Sequence, residues 1–327
     1  MKCIKNSVAG KINMLTIAIP TYKRHSLLME TVKSAASQIT KFNYQIIICD
    51  NDHETSQTFI DEIIKIAPDK ISYIINETNI GMFGNWNKCM SVCDTTFFTI
   101  LSDDDILTPN FVEATLSVLK INSDIKVLAV ETEVFGSKKA NSFNKVVKIR
   151  TMVDLFFAKK RSTRLYLLNL EHYLVGIPHF GSLGIVINSE TIRDGLKFDE
   201  NFYPISDIVF TTKLQQNYGC YFLKLPLAKY RIHESESSNP KTISSTIEKT
   251  IQFKKDVILG SEISSKHVAK IYLNLLKLKY KLTLYNFWNQ EDTKNIYSLA
   301  RTALSKLVAA SVLICRIWIL SRKWLKL

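Results

Sequence analysis

The first 130 residues switch back and forth between two hydrophobic periods. Short unbroken apolar runs, rich in β-branched residues, alternate with longer stretches whose apolar positions recur every three or four residues. The runs "LTIAI" (15–19), "YQIIIC" (44–49), "ISYII" (71–75), "TFFTIL" (96–101) and "KVLAV" (126–130) predict buried strands. Between them "SLLMETVKSAASQ", "TSQTFIDEIIKIA" and "MFGNWNKCMSVC" predict helices, the first with Ser26 as its cap, and a further helix starts at Pro109. Strands alternating with helices predict an α/β fold with a parallel sheet covered on both faces. Ligands of such sheets gather at the carboxyl ends of the strands. Four polar stretches fall there: "PTYKR", "DNDHE", "NETNIG" and "SDDD".

Beyond residue 130 the pattern loosens. "SLGIVI" (182–187) and "CYFLKLPLAKYRIH" (220–233) predict strands on either side of a helix near Asp207, and after about residue 242 the periodicity is helical. The chain therefore divides into a domain over residues 1–240 and a helical region over 241–327. The apolar part of the tail, Leu307 to Leu320, is 14 residues long and contains Arg316. A spanning helix needs about 20 apolar residues, so the tail does not read as one. Leu307, Ile314, Trp318 and Leu325 share one helical face, and Arg322, Lys323 and Lys326 gather around Trp324. That pattern fits an interfacial anchor on anionic lipid; a helix packed on the catalytic domain or on a second subunit is the alternative.

Charge sharpens the picture. The formal net charge of +13 points to an anionic partner: nucleic acid, an anionic membrane surface or a phosphorylated substrate. No nucleic-acid-binding module accompanies it, which argues against nucleic acid. The six cysteines form no CxxC pair or metal-finger spacing, and the N-terminus lacks the apolar core of a signal peptide. Both features predict a reducing, cytoplasmic setting.

The candidate chemistry starts at Asp103, Asp104 and Asp105. Three adjacent carboxylates repel one another unless a cation sits among them. A hard divalent ion, Mg²⁺ or Mn²⁺, prefers carboxylate oxygens and keeps positions open for substrate phosphates. The alternative is an Asp-rich turn capping the next helix.

Together, "LTIAIPTYKR", "IIICDND", "NIGMFGNWNKCM" and "LSDDDIL", followed by "GLKFDENFYPISDIVF" and "YRIHESESS", resemble the family 2 glycosyltransferases over residues 15–238. The resemblance implies a GT-A fold, Rossmann-like with a mostly parallel sheet flanked by helices, here with a helical C-terminal extension. It also implies a nucleoside-diphosphate-sugar donor, a divalent metal (Mn²⁺ or Mg²⁺) and inversion at the anomeric carbon. Pro20, Thr21, Tyr22, Arg24, Asp50, Asp52, Asn79, Gly81, Asn85 and Asp103 are then the expected donor-binding residues. Asp104, Asp105 and His233 are the expected metal residues. The register of the Asp-x-Asp motif stays open: one alignment pairs Ser102 with Asp104, the other Asp103 with Asp105.

Asp207 falls where the family places its base, although the usual Glu-Asp pair is Ser-Asp here; a helix cap is the alternative. Arg24 and Arg231 are candidate phosphate clamps, and His179 and Gly181 candidate acceptor-side residues. The implied acceptor is a glycan precursor of a surface polysaccharide such as O-antigen or capsule, lipid-linked by preference. The implied location is the inner face of the cell membrane, with homo-oligomerisation open. A non-catalytic nucleotide-sugar-binding scaffold and a sugar-phosphate nucleotidyltransferase are the competing classes. The second would want a glycine-rich loop after the first strand, and "PTYKR" has none.

Overall fold

The β-branched runs become the central strands of one mixed sheet. The computed structural model describes residues 2–5, 13–137, 158–170, 182–193, 195–233, 240–260 and 270–275, with single positions at 140, 144, 148, 151–152, 155–156, 172, 314–315 and 317. The strands are β1 (Lys2–Lys5), β2 (Leu15–Thr21), β3 (Tyr44–Asp50), β4 (Ile71–Ile75), β5 (Phe97–Ile100), β6 (Ile106–Leu107), β7 (Val127–Phe135), β8 (Lys159–Lys160), β9 (Leu165–Leu168), β10 (Ile185–Asn188) and β11 (Cys220–Arg231). They lie in the order β1-β4-β3-β2-β5-β10-β7-β11-β9-β8, with β6 paired to β11.

The helices are α1 (His25–Ala36), α2 (Gln57–Ile66), α3 (Met82–Ser91), α4 (Phe111–Ile121), α5 (Ser206–Tyr218) and α6 (Pro240–Gly260). All seven residues of β2 are buried, as a strand covered on both faces requires. The period of two sorts its side chains. Ile17, Ile19, Ile46 and Ile48 join Leu28, Val32, Ile60 and Ile63 in one cluster, while Ala18, Ile47 and Cys49 join Cys89 in another. Each fully buried aliphatic side chain contributes about 1.5–3 kcal/mol relative to exposure. In α1 the buried residues Leu28, Thr31, Val32 and Ala35 follow helical spacing. Arg24, not Ser26, occupies its N-cap, and no side chain caps it there. Pro109 lies just before the next helix, whose N-cap is Asn110.

The quartet β4-β3-β2-β5 is parallel throughout. The chain builds leftward from β2 to β4, then crosses to β5 on the other side of β2, so the strand order reverses there. That reversal opens a crevice at the carboxyl ends of β2 and β5. The fifth expected strand, β7, does not follow β5 directly. β10 lies between them, antiparallel to both. The short run at β10 carries no directional signal, so the sequence pattern alone could not reveal that slot.

By packing, the chain divides into two units: Met1–Val147, Lys159–Asn169 and Pro178–His233 form one, and Lys148–Ala158, Leu170–Ile177 and Glu234–Leu327 the other. The first contains the sheet. The described part of the second includes α6. Among the described residues no helix is long and apolar enough to cross a membrane. His179, Gly181 and most of the expected tail anchor lie outside the described residues.

Candidate donor and metal site

Three elements deliver charged groups to the crevice. The loop after β5 carries the aspartates, the turn after β2 carries Arg24, and the end of β11 carries His233. The β2 turn contains a left-handed residue that is not glycine: Lys23 has φ 55°. Such a backbone costs about 1–2 kcal/mol, and here it falls directly before Arg24 at the start of α1.

The Arg24 guanidinium donates through Nη1 to Asp104 Oδ2 at 2.9 Å and to Asp103 Oδ1 at 3.2 Å. His233 Nε2 lies 2.9 Å from that same Asp104 oxygen. Thr21 donates its hydroxyl to Asp103 Oδ2 at 2.8 Å. Burial pushes the Asp103 carboxyl up to about 6, against the pull of Arg24 and the Thr21 bond. Asp105 is more deeply enclosed. Its Oδ1 accepts the backbone N–H of Arg231 at 2.9 Å, and its carbonyl accepts the Thr31 hydroxyl at 2.8 Å. Burial, and then the Asp104 charge, push its carboxyl up to about 8. The loop thus holds carboxylates whose ionised forms are poorly solvated, a setting that favours a cation.

Arg231 is committed elsewhere. Its Nε donates to the Asp104 carbonyl at 2.8 Å, its Nη2 donates to Glu30, and its guanidinium lies over the Phe135 ring. It ties the acidic loop to β11 and α1 rather than standing open as a clamp.

Among the described residues no group of three or more His, Cys, Asp or Glu side chains gathers as an ion cage. The donor set that does converge is a pair, Asp104 and His233. One carboxylate oxygen and one imidazole nitrogen suit Mn²⁺ or Mg²⁺, with the remaining positions left to diphosphate oxygens and water. The residues present fit such an ion.

The β3–β4 side of the crevice is built by Asp50 and a chain of asparagines. Asp50 is buried; its Oδ2 accepts the hydroxyls of Thr55 and Tyr73, each at 2.7 Å, and its Oδ1 accepts the Asp52 N–H at 2.9 Å. Asp52 closes a turn by accepting Glu54 N–H at 3.2 Å. Thr21 and Asp50 are register partners across β2 and β3. Asn85 spends its amide on Cys49 O and Thr21 O, and its Oδ1 on Asn76. Asn79 Oδ1 accepts from Asn51 and from the Gly81 N–H. These asparagines frame the crevice by bonding to protein groups.

Gly81 has φ 78°, and a Cβ built there meets nothing within 4 Å, so glycine is required for the backbone and not for space. Pro20 is buried within β2, while Tyr22 is exposed. Asn51, Thr55, Tyr73 and Asn76 belong to this frame without being among the residues expected from the sequence. Asn51 and Asn76 directly follow β3 and β4, the position that marked the other candidates.

Asp207 lies in the first turn of α5, behind the N-cap Ile205. A single residue, Gly219, with φ 69°, reverses the chain between α5 and β11. Burial pushes the Asp207 carboxyl up to about 6, although backbone N–H groups of Ile208 and of Asp207 itself hold it down. A carboxyl in that range accepts a proton more readily than a solvated aspartate does.

A mostly parallel sheet flanked by helices, with acidic groups at the switch point, defines the GT-A class of folds. Residues 16–173 match the model of Glycosyl transferase family 2. The GalNAc(5)-diNAcBac-PP-undecaprenol beta-1,3-glucosyltransferase of Campylobacter jejuni is 30% identical over 94 residues, which cover 28% of this chain and 30% of that one. Alignments span between 30% and 40% of the length of this and three other curated relatives. Two solved structures share the fold. The mannosyltransferase PcManGT from Pyrobaculum calidifontis, in complex with GDP-Man and Mn²⁺, superposes with a TM-score of 0.59 at 11% identity, covering 96% of this chain and 87% of that one. S. aureus TarS 1–349 in complex with UDP-GlcNAc gives a TM-score of 0.55 at 12% identity, covering 96% and 92%.

Proposed function

We propose that the protein is an inverting glycosyltransferase. It moves a sugar from a nucleoside-diphosphate donor to a hydroxyl of a surface-glycan precursor, lipid-linked by preference. The observation that carries the reading is the meeting of Asp104, His233 and Arg24, from three separate elements, at the switch point of the sheet. The donors named with TarS and PcManGT support a nucleotide sugar, and the undecaprenol-linked relative supports the acceptor class.

In this reading Thr21, Asp50 and the asparagine frame shape the nucleoside end, and exposed Tyr22 flanks it. Asp104 and His233 would hold Mn²⁺ or Mg²⁺, which when bound neutralises charge developing on the departing diphosphate. Asp207 takes the proton from the acceptor hydroxyl as that oxygen bonds to the anomeric carbon. The bond from that carbon to the diphosphate breaks on the opposite side, so one displacement inverts the centre.

The test is release of nucleoside diphosphate from a panel of donors, with Mn²⁺ or Mg²⁺ and then with chelator, in the presence of candidate lipid-linked acceptors. Release from one donor is expected, lost with chelator and in Asp104→Ala. Asp207→Asn is expected to lower kcat by about 10²–10⁴ while donor binding persists. Failure of the wild type to bind every donor with metal present removes the transferase reading.

A further inference from the structure

One carboxylate is offered to two cations. Asp104, whose carboxylate is a candidate metal ligand, accepts the Arg24 guanidinium through Oδ2 at 2.9 Å and faces His233 Nε2 from that oxygen at 2.9 Å. Arg24 also spans to Asp103, so one positive group bridges both acidic side chains. A divalent ion and a guanidinium on the same Asp104 carboxylate would place like charges within a few ångströms, which is costly in a partly buried site.

We propose that Arg24 is the resident counter-cation of the acidic loop and must leave Asp104 before a metal ion binds there, so that metal and diphosphate load together. This rests on the glycosyltransferase reading of the site. The two arginines of the crevice differ in their freedom to move. Arg231 is fixed by its backbone N–H on Asp105, by Nε on the Asp104 carbonyl and by Nη2 on Glu30. Arg24 holds the loop through one terminal nitrogen only, on a side chain 36% exposed to solvent. Release of Arg24 breaks two hydrogen bonds and leaves the acidic loop's backbone ties intact. The freed guanidinium then stands beside an arriving diphosphate, whose oxygens match its planar fork of donors.

The exchange predicts an order of affinities. Metal alone must compete with Arg24 and binds weakly. A nucleoside diphosphate offers Arg24 a new partner and removes that competition, so each ligand strengthens the other.

The experiment titrates Mn²⁺ into the full chain by electron paramagnetic resonance, with and without UDP or GDP. Wild type, Arg24→Gln, Arg24→Lys and Asp104→Asn are compared, with thermal melts confirming that each folds. Without nucleotide, Arg24→Gln is expected to bind Mn²⁺ roughly three- to tenfold more tightly than wild type, and Arg24→Lys close to wild type. Nucleoside diphosphate is expected to tighten Mn²⁺ binding in wild type and to narrow the gap to Arg24→Gln. Binding by Arg24→Gln that equals or falls below wild type overturns the inference. If Mn²⁺ still binds wild type and is lost in Asp104→Asn, the metal reading survives that failure. If Mn²⁺ binds no form with or without nucleotide, the inference and the metal reading fall together, and donor binding in chelator then tests the remaining glycosyltransferase reading.

Discussion

At the scale of single residues, Asp207 gives the clearest separation between a catalytic group and a structural one. Its carboxyl is raised to about 6, whereas an unfolded aspartate ionises near about 4. The fold therefore binds its proton more tightly than the unfolded chain does. The stability this contributes is full below about pH 4 and is lost as pH rises through about 6. A base must be ionised, so activity should follow the opposite course: constant above about pH 7 and falling roughly tenfold per unit well below 6. A rate–pH profile at saturating donor checks this, and a flat profile between pH 5 and 7 would sink the base assignment. The same logic gives Asp207→Asn up to about 2 kcal/mol of added stability at pH 7, readable by denaturation, alongside its loss of rate. The sequence showed Asp207 through its motif alone. It could not show the burial that sets its proton affinity, because that comes from residues distant in the chain.

At the scale of elements, β3 and β4 are joined beyond their ladder by buried side-chain bonds from Tyr73 to Asp50 and from Asn76 to Asn51. The Tyr73 hydroxyl is pushed far above the ordinary phenol range by burial and by the Asp50 charge, so it stays a donor. Tyr73→Phe removes one of two hydroxyls on Asp50 Oδ2. A loss of about 1–3 kcal/mol in unfolding free energy is expected, since hydrogen bonds to charged groups lie at the strong end. Binding of UDP or GDP should weaken several-fold as Asp50 loosens; unchanged stability and binding would show that Thr55 alone suffices. Tyr73 read in the sequence only as an apolar strand residue. Its alternation in "ISYII" placed it correctly in the core, but nothing local names a partner one strand away. The acidic loop was legible through its company: alone the three aspartates also read as a turn capping the next helix, but they share the strand ends with three other polar stretches. Their division of labour was not legible, because it depends on β11. Arg231 fixes Asp105 and the Asp104 carbonyl, and leaves the Asp104 side chain to His233 and Arg24. The parallel quartet and its helices follow the period of the sequence closely, while the antiparallel insertion of β10 does not.

At the scale of the whole molecule, a net charge of +13 biases every encounter toward anionic surfaces. If the basic, aromatic tail supplies the contact, removing residues 307–327 should release the protein from anionic vesicles. Arg322, Lys323 and Lys326 together are worth about 3 kcal/mol near such a surface, or roughly a hundredfold in partitioning, less in high salt. Co-sedimentation with anionic and neutral vesicles measures this, and equal binding by the shortened chain would place the contact elsewhere. The insertion of β10 bears on how the molecule is made. Once Ile100 has left the ribosome the four parallel strands can pair, yet the open flank of β5 must wait for Ile187 and Asn188. β11, with Arg231 and His233 at and just past its end, arrives later still. A nascent chain is thus obliged to shield an unpaired strand edge through much of its synthesis, and its acidic loop is tied down by almost the last part of the sheet to emerge.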